Sequence, residues 1–392
     1  TNFTGPVHTN ERFSFANNPS GHFTEEVTQH LSTARFYNNG STKLLDADRN
    51  PVGCCPQCIQ CTAWPGCCEG ADCTTCCVEN SACSNKPSCV TCKDYPVFDT
   101  SFQRSYDLIE LPSTVTQNDL KNQALGGMSE PGFGIYIPND GTNVTGGIYI
   151  RGNQGSPADD STINMAVGTN GPVYTISRSG SPTTTVTVDY LANGGTGSTT
   201  VNGLTYQGIP DGVGNEGIII YVNDDIGSLS GTVDENTAVT VSAERDIIIT
   251  NHILYEEYNP SPPSEHLNAQ GYDNILGILS WGGNVRIGTS APDDVNIHGV
   301  VMAPHGVFSV DNYNVGSPRG TTTLLGGVIS DYYGAFGTFS GSNPVSGYGR
   351  NFVYDPRVLA GIVPPYFPYM ANFTSTDDNG LDRKLVWQDQ GV

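Results

Sequence analysis

The chain has 392 residues, with 17 Lys and Arg against 39 Asp and Glu and a formal charge of -22. So acidic a chain lacks the basic face that nucleic acid requires, and it fits a soluble, self-repelling surface or one that takes up divalent cations. No run approaches the roughly 18–20 apolar residues of a membrane helix, and 47 Gly with only 14% charged residues resemble extracellular β-rich proteins more than cytosolic enzymes.

The sequence opens at Thr1-Asn-Phe-Thr with neither an initiator Met nor a signal peptide, so an upstream segment is expected to have been removed or left out. Residues 1–53 are polar and turn-rich, with a strand-like Arg12–Phe15 and an amphipathic stretch, Glu25–Tyr37, that predicts a helix. All twelve cysteines follow within 54–92: Cys54, Cys55, Cys58, Cys61, Cys67, Cys68, Cys73, Cys76, Cys77, Cys83, Cys89 and Cys92. An even number in so short a segment matches oxidised secreted modules and points outside the cytoplasm. As disulfides they make a knot of up to six bridges around Val52, Ile59, Trp64, Val78 and Val90, each bridge contributing about 2–4 kcal/mol by restricting the unfolded chain. As metal ligands, the Cys-x-x-Cys pairs 55/58, 58/61, 73/76 and 89/92 could hold zinc or an iron–sulfur cluster. Three adjacent Cys-Cys pairs and the lack of His between 54 and 92 favour disulfides. No Cys-x-x-Cys-His occurs, which excludes covalent c-type haem, and the spacing leaves the pairing open.

Residues 93–210 form a β-rich region with one short helix, Asn118–Leu125, for which Thr116 is the candidate cap. Its strands are read at Phe133–Ile137, Gly147–Ile150, Val173–Ile176 and Val186–Tyr190, and the Ser/Thr/Gly runs at 179–200 as a hairpin tip or loop. From Gly217 to Phe339 the chain repeats short β-branched or aromatic runs closed by Gly, Asn, Asp or Pro, including Ile218–Val222, Val239–Val241, Ile247–Ile249, Ile275–Ile278, Val285–Ile287, Val307–Val310 and Leu324–Ile329. The spacing is too irregular to define a repeat. An all-β protein follows, with residues 211–360 as a β-solenoid and a β-sandwich as the alternative. The tail, 361–392, includes Pro364–Tyr369, which cannot be helical and is expected along the surface or as a cap on the stack.

No motif in the chain carries catalysis. Gly212-Val-Gly-Asn-Glu-Gly217 has the letters of a dinucleotide fingerprint, but a strand and not a helix is expected after it. Carboxylate pairs occur at Asp159-Asp160, Asp224-Asp225, Asp293-Asp294 and Asp377-Asp378, in turn contexts where Asp bonds its own backbone; calcium binding is the next reading, and acid–base catalysis the last. Asp46, Asp48 and Asn50 begin like a calcium loop, and Asp377, Asn379 and Asp382 form a second weak calcium-type turn, so Ca²⁺ is the one candidate cofactor. The seven His are scattered without zinc spacing, and His298 and His305 are expected at turns or packed. Tyr332, Tyr333, Phe336 and Phe339 are read as aromatics packing between rungs rather than as a sugar platform. Asn2, Asn39, Asn143 and Asn372 head glycosylation sequons.

Phe3–Asn10 and Phe15–Pro19 resemble a recurring segment of an uncharacterised family of bacterial surface proteins, often encoded beside type IV pilus assembly genes. Further likenesses, in the family's order, are Gly146–Ile150, Ile219–Val222 with Leu229–Gly231, Asp246–Asn251, Asn274–Ile278, Ile297–Ala303, Gly326–Ile329, and Tyr348 to Tyr354–Arg357. The resemblance implies a pilin-like N-terminal apolar helix followed by an exported β-helical body, and it brings no catalytic residues. This chain departs from it by lacking the upstream helix and by carrying the Cys-rich segment between Pro51 and Tyr95. The expected function is a non-catalytic, cell-surface structural protein, self-assembling into a homopolymer or associating with a pilin-like chain, and an exposed Cys knot could serve attachment. The rival is a β-helical polysaccharide lyase or hydrolase or a glycan-binding protein, resting on groups such as Asp293 and Arg286; the basic residues of the stack are Arg245, Arg286 and Arg319. A metal- or electron-handling filament built on the Cys segment is a third reading.

Overall fold

Short runs rich in β-branched and aromatic residues, each ended by a turn former, cannot bury a face alone and must pair with one another. In the computed structural model they do so mostly in parallel. The structure describes residues 2–15, 22–32, 35–38, 41–44, 97–152, 160–256, 274–340, 343–359, 361–368 and 387–389. The Cys-rich segment and the calcium-type turns at Asp46, Asp48, Asn50 and at Asp377, Asn379, Asp382 lie outside the described residues. Two compact units are present: residues 1–108 with 339–343 and 387–392, and residues 109–338 with 344–386.

The first unit contains β1 (Asn2–Phe3), β2 (Val7–Thr9), β3 (Ser14–Phe15), β4 (His22–Phe23), β5 (Val27–Gln29), β6 (Arg35–Asn38), β7 (Ser41–Leu44), β8 (Val97–Phe98) and β9 (Phe102–Gln103). β1, β4 and β8 pair in parallel, as do β2, β5 and β9, and β3 pairs with β6; among the described residues of this unit only β6 and β7 form an antiparallel hairpin. Register places Phe3 beside Phe23 and Phe23 beside Phe98, and their rings stack at 4.7 and 5.3 Å. The helix expected over Glu25–Tyr37 is replaced by β5 and β6, because Val27 stacks between Val7 and Phe102 in a ladder whose partners are distant in sequence. Pairing of that kind outweighs local periodicity.

The second unit begins with helix α1 (Thr114–Leu125), which starts four residues before the expected Asn118, with Ser113 rather than Thr116 preceding it. It ends at Gly126, whose φ of 56° is the left-handed stop glycine supplies. The strands are β10 (Gly134–Tyr136), β11 (Ile148–Arg151), β12 (Ser161–Val167), β13 (Pro172–Arg178), β14 (Ser181–Asp189), β15 (Ser198–Val201), β16 (Leu204–Gln207), β17 (Ile218–Val222), β18 (Ile226–Val233), β19 (Ala238–Ala243), β20 (Ile247–Tyr255), β21 (Ile275–Ser280), β22 (Val285–Ile287), β23 (Asn296–Val310) and β24 (Pro318–Tyr332). Another strand, Asn343–Tyr354, and a single-turn helix, α2 (Pro356–Leu359), follow. Much of the Ser/Thr-rich run at 179–200 is strand rather than loop: β14 pairs with β13 and with β15, and threonines suit a half-exposed pleat.

Three parallel ladders organise this unit. In the first, Ile148, Ile220, Val241, Ile278, Val301 and Val328 are successive register partners. In the second they are Ile163, Leu229, Ile249, Ile287 and Val310, and in the third Ile253, Ile297, Leu324 and Phe352. All of these side chains are buried, each contributing about 1.5–3 kcal/mol. The chain passes between the first and second ladders at a sharp corner where each carbonyl-bearing side chain accepts from the next rung. Asp225 Oδ1 accepts from the Asp246 amide at 2.8 Å, Asp246 Oδ1 from the Asn284 amide at 2.7 Å, and Asn284 Oδ1 from the Val307 amide at 3.0 Å. Glycine turns β18 from the second ladder toward the third: Gly231 has φ +119°, and a Cβ there would fall on the Met165 carbonyl oxygen. The antiparallel meander β13–β16 extends sideways from β12.

Candidate functional site

Of the carboxylate pairs singled out in the sequence, Asp225, Asp293 and Asp294 serve as corner residues, while Asp159, Asp377 and Asp378 lie outside the described residues. Arg286 bridges Asp246 at 2.8 Å and Asp311 at 2.7 Å, while Arg245 reaches Asp225 at 3.4 Å. Asp293 pairs with Arg319 at 3.1 Å, and the Arg319 guanidinium lies 4.8 Å from the Tyr348 ring centroid. Asp293 and Arg286, the pair on which a glycan enzyme would rest, are therefore committed to different partners. Asp294 Oδ1 accepts from the Thr321 amide at 2.9 Å, a bond to a strand 27 residues along the chain rather than to the turn's own backbone. Asp224 is buried against Gly152, with Arg245 3.9 Å away, and burial pushes its carboxyl above the usual range. Among the described residues, no group of three or more His, Cys, Asp or Glu converges so as to hold a metal ion. The Gly212–Gly217 segment runs directly into β17, so no helix N-terminus follows it to receive a pyrophosphate.

Of the aromatics assigned to the stack, Phe336 packs 5.2 Å from Phe308 and 5.5 Å from Phe352. Tyr332, Tyr333 and Phe339 are instead exposed, and Tyr333 lies under Arg350 at 4.3 Å. His305 is exposed at a corner, whereas His298 is fully buried and accepts from the Tyr255 amide through Nδ1 at 2.9 Å. Burial, with Arg357 and His252 nearby, lowers His298 to about 3. Beside it lies a buried ion pair in which Arg357 Nη2 and Nε donate to Asp355 at 2.8 and 3.1 Å and Nη1 donates to the Asn274 carbonyl at 2.8 Å. The tail segment Pro364–Phe367 is non-helical, as expected, and packs on the first ladder. Thr240 donates to the Pro365 carbonyl at 2.5 Å, and Phe367 covers Gly277.

A grouping of polar and charged side chains under α1 was not singled out in the sequence. Ile150 pairs with Val222 and Val222 with Ala243, so Arg151, Asn223 and Glu244 stand side by side on consecutive rungs. Tyr149 and Tyr221, two residues earlier on their strands, project to the same face and stack at 6.0 Å. Helix α1 covers this face with Gln117 and Lys121, one turn apart: Gln117 reaches the Tyr221 hydroxyl at 3.4 Å, and Lys121 Nζ lies 3.1 Å from Glu130 and 3.5 Å from Glu244. Asn223 Nδ2 donates to Glu244 at 2.8 Å and to Glu130 at 3.4 Å. The Tyr149 and Tyr221 hydroxyls donate to Glu130 and Glu244 at 3.0 and 3.1 Å, and Arg151 completes the cluster at Glu130. Burial, reinforced by Glu244, raises both phenols far above their ordinary value, so they remain proton donors at neutral pH. Chemically the grouping offers an amine and a carboxamide bridged by two carboxylates: Asn223 is buried, the Lys121 and Glu244 side chains are each 18% exposed, and the Glu130 side chain is 37% exposed.

No protein-family model matches the chain, and no match is found among curated proteins or solved structures. Sequence reasoning missed the α1 grouping because its members are far apart in the chain. The accessible signals were the Gln117/Lys121 spacing on one helix face and the Tyr221/Asn223 alternation on one strand face.

Proposed function

We propose that the chain is a non-catalytic extracellular structural protein: a β-solenoid body bearing a disulfide-rich segment, acting as a subunit of or decoration on a pilus-like surface filament. The observation that carries this reading is the set of three apolar columns, in which parallel strands place buried apolar residues over one another. Such a body transmits load along its hydrogen-bond ladders and presents strand edges through which neighbours can join. The corner ladder Asp225–Asp246–Asn284 supports it, since these carboxylates and amides hold turns together. The family of surface proteins that the sequence resembles fits the same reading, with a homopolymer or a pilin-like chain as partner. Ca²⁺ bridging between acidic surfaces is part of the proposal.

The test is electron microscopy of the protein isolated from its native source without reductant. Regular filaments whose repeat this chain accounts for are the expected result. Monodisperse particles, with activity or binding on a panel of acidic glycans, would overturn the proposal in favour of a glycan enzyme or a glycan-binding protein.

A further inference from the structure

We infer that Lys121 and Asn223 become joined by an intramolecular isopeptide bond, which staples helix α1 to the first parallel ladder. The inference is independent of the filament reading and rests on the geometry beneath α1. Lys121 Nζ and Asn223 Nδ2 share one acceptor atom, Glu244 Oε1, at 3.5 and 2.8 Å. Glu130 spans the same two groups from the other side, at 3.1 and 3.4 Å. A surface ion pair needs one carboxylate and no carboxamide. Here a primary amide is buried at the centre of a charged cluster, with carboxylates bridging it to an amine.

The reaction follows from those contacts. Glu244 takes a proton from the Lys121 ammonium, and the freed amine attacks Asn223 Cγ to form the Nζ–Cγ bond. A second proton passes from Nζ to Nδ2 through the bridging carboxylate, the Cγ–Nδ2 bond breaks, and ammonia leaves. The proton held by Glu244 goes to the ammonia, so one ammonium ion is released and the carboxylate is regenerated. No oxidant, reductant or cofactor enters the balance. Positioning by folded elements replaces a bimolecular encounter with a unimolecular one. The stacked, buried Tyr149 and Tyr221 hold the carboxylates through their hydroxyls.

The experiment is peptide mapping of the full chain after denaturation, reduction and trypsin digestion. The expected result is no cleavage after Lys121 and a branched peptide joining the Lys121 and Asn223 segments, lighter by one ammonia than its two parts. Glu244→Ala is expected to restore cleavage after Lys121 and to yield linear peptides. Recovery of the wild-type chain as linear peptides, cut at Lys121 and carrying an intact Asn223 amide, would overturn the proposal without recourse to any variant. A Glu244→Ala chain cross-linked to the wild-type extent would overturn the role assigned to Glu244. Lys121→Arg keeps the ion pairs but cannot form the bond, so its unfolding midpoint should fall below that of the wild type.

Discussion

Replacing Arg357 with Leu tests whether the ion pair beneath the third ladder is a structural necessity. The Asp355 side chain is 1% exposed and its partner 7%. Nε and Nη2 of Arg357 donate to that carboxylate, Nη1 donates to Asn274, and the guanidinium lies 4.8 Å from the Tyr255 ring centroid. Arg357→Leu leaves a carboxylate buried without its cation, a loss of about 3–5 kcal/mol. Replacing both residues with Leu removes the stranded charge and should recover most of that loss, because a buried pair is itself near break-even against apolar side chains. The assay is native-state hydrogen exchange at the Tyr255 and Leu276 amides, which bond His298 and the Tyr255 hydroxyl at 2.9 and 3.3 Å. Exchange there should accelerate by roughly two to four decades in the single variant. Acceleration of less than about one decade, or a double variant no slower than the single, would refute the argument that the unpaired carboxylate dominates the cost.

Acid should destabilise the protein before carboxylates titrate. His298 and His8 are held at about 3 and about 4, chiefly by burial, against 6.5 when unfolded. The unfolded chain therefore binds these protons first, so the contribution is complete above pH 6.5 and declines as pH falls toward those folded values. Urea midpoints across that window should fall with pH, and His298→Gln should flatten the fall. Gly231→Ala forces a side chain into a left-handed backbone conformation and onto the Met165 carbonyl; the strain alone is about 1–3 kcal/mol, to be read as a lowered thermal midpoint. Asn284→Ala deprives the Val307 amide of its acceptor and should cost about 0.5–1.5 kcal/mol in chemical denaturation.

Local chemistry already in the sequence determined the β character, the corners and the absence of a phosphate-binding helix start after Gly217. β-Branched runs such as Ile218–Val222 and Ile275–Ser280 pair as strands wherever they lie, and Asp or Asn marks where a turn falls, although the corner side chains bond amides 21 to 38 residues away. The stretch from Glu25 to Tyr37 shows the limit: its periodicity suits a helix, yet Val27 is held by Val7 and Phe102. Register was equally hidden. Nothing near Asn223 in the chain indicates that Glu244 stands beside it, or that Lys121 arrives from a helix a hundred residues earlier. Only the tertiary structure decided that grouping, because parallel pairing joins residues far apart in the chain, and that separation depends on the turns and insertions between them. Side-chain alternation specifies which face a residue occupies, whereas its neighbour on that face follows from the ladder.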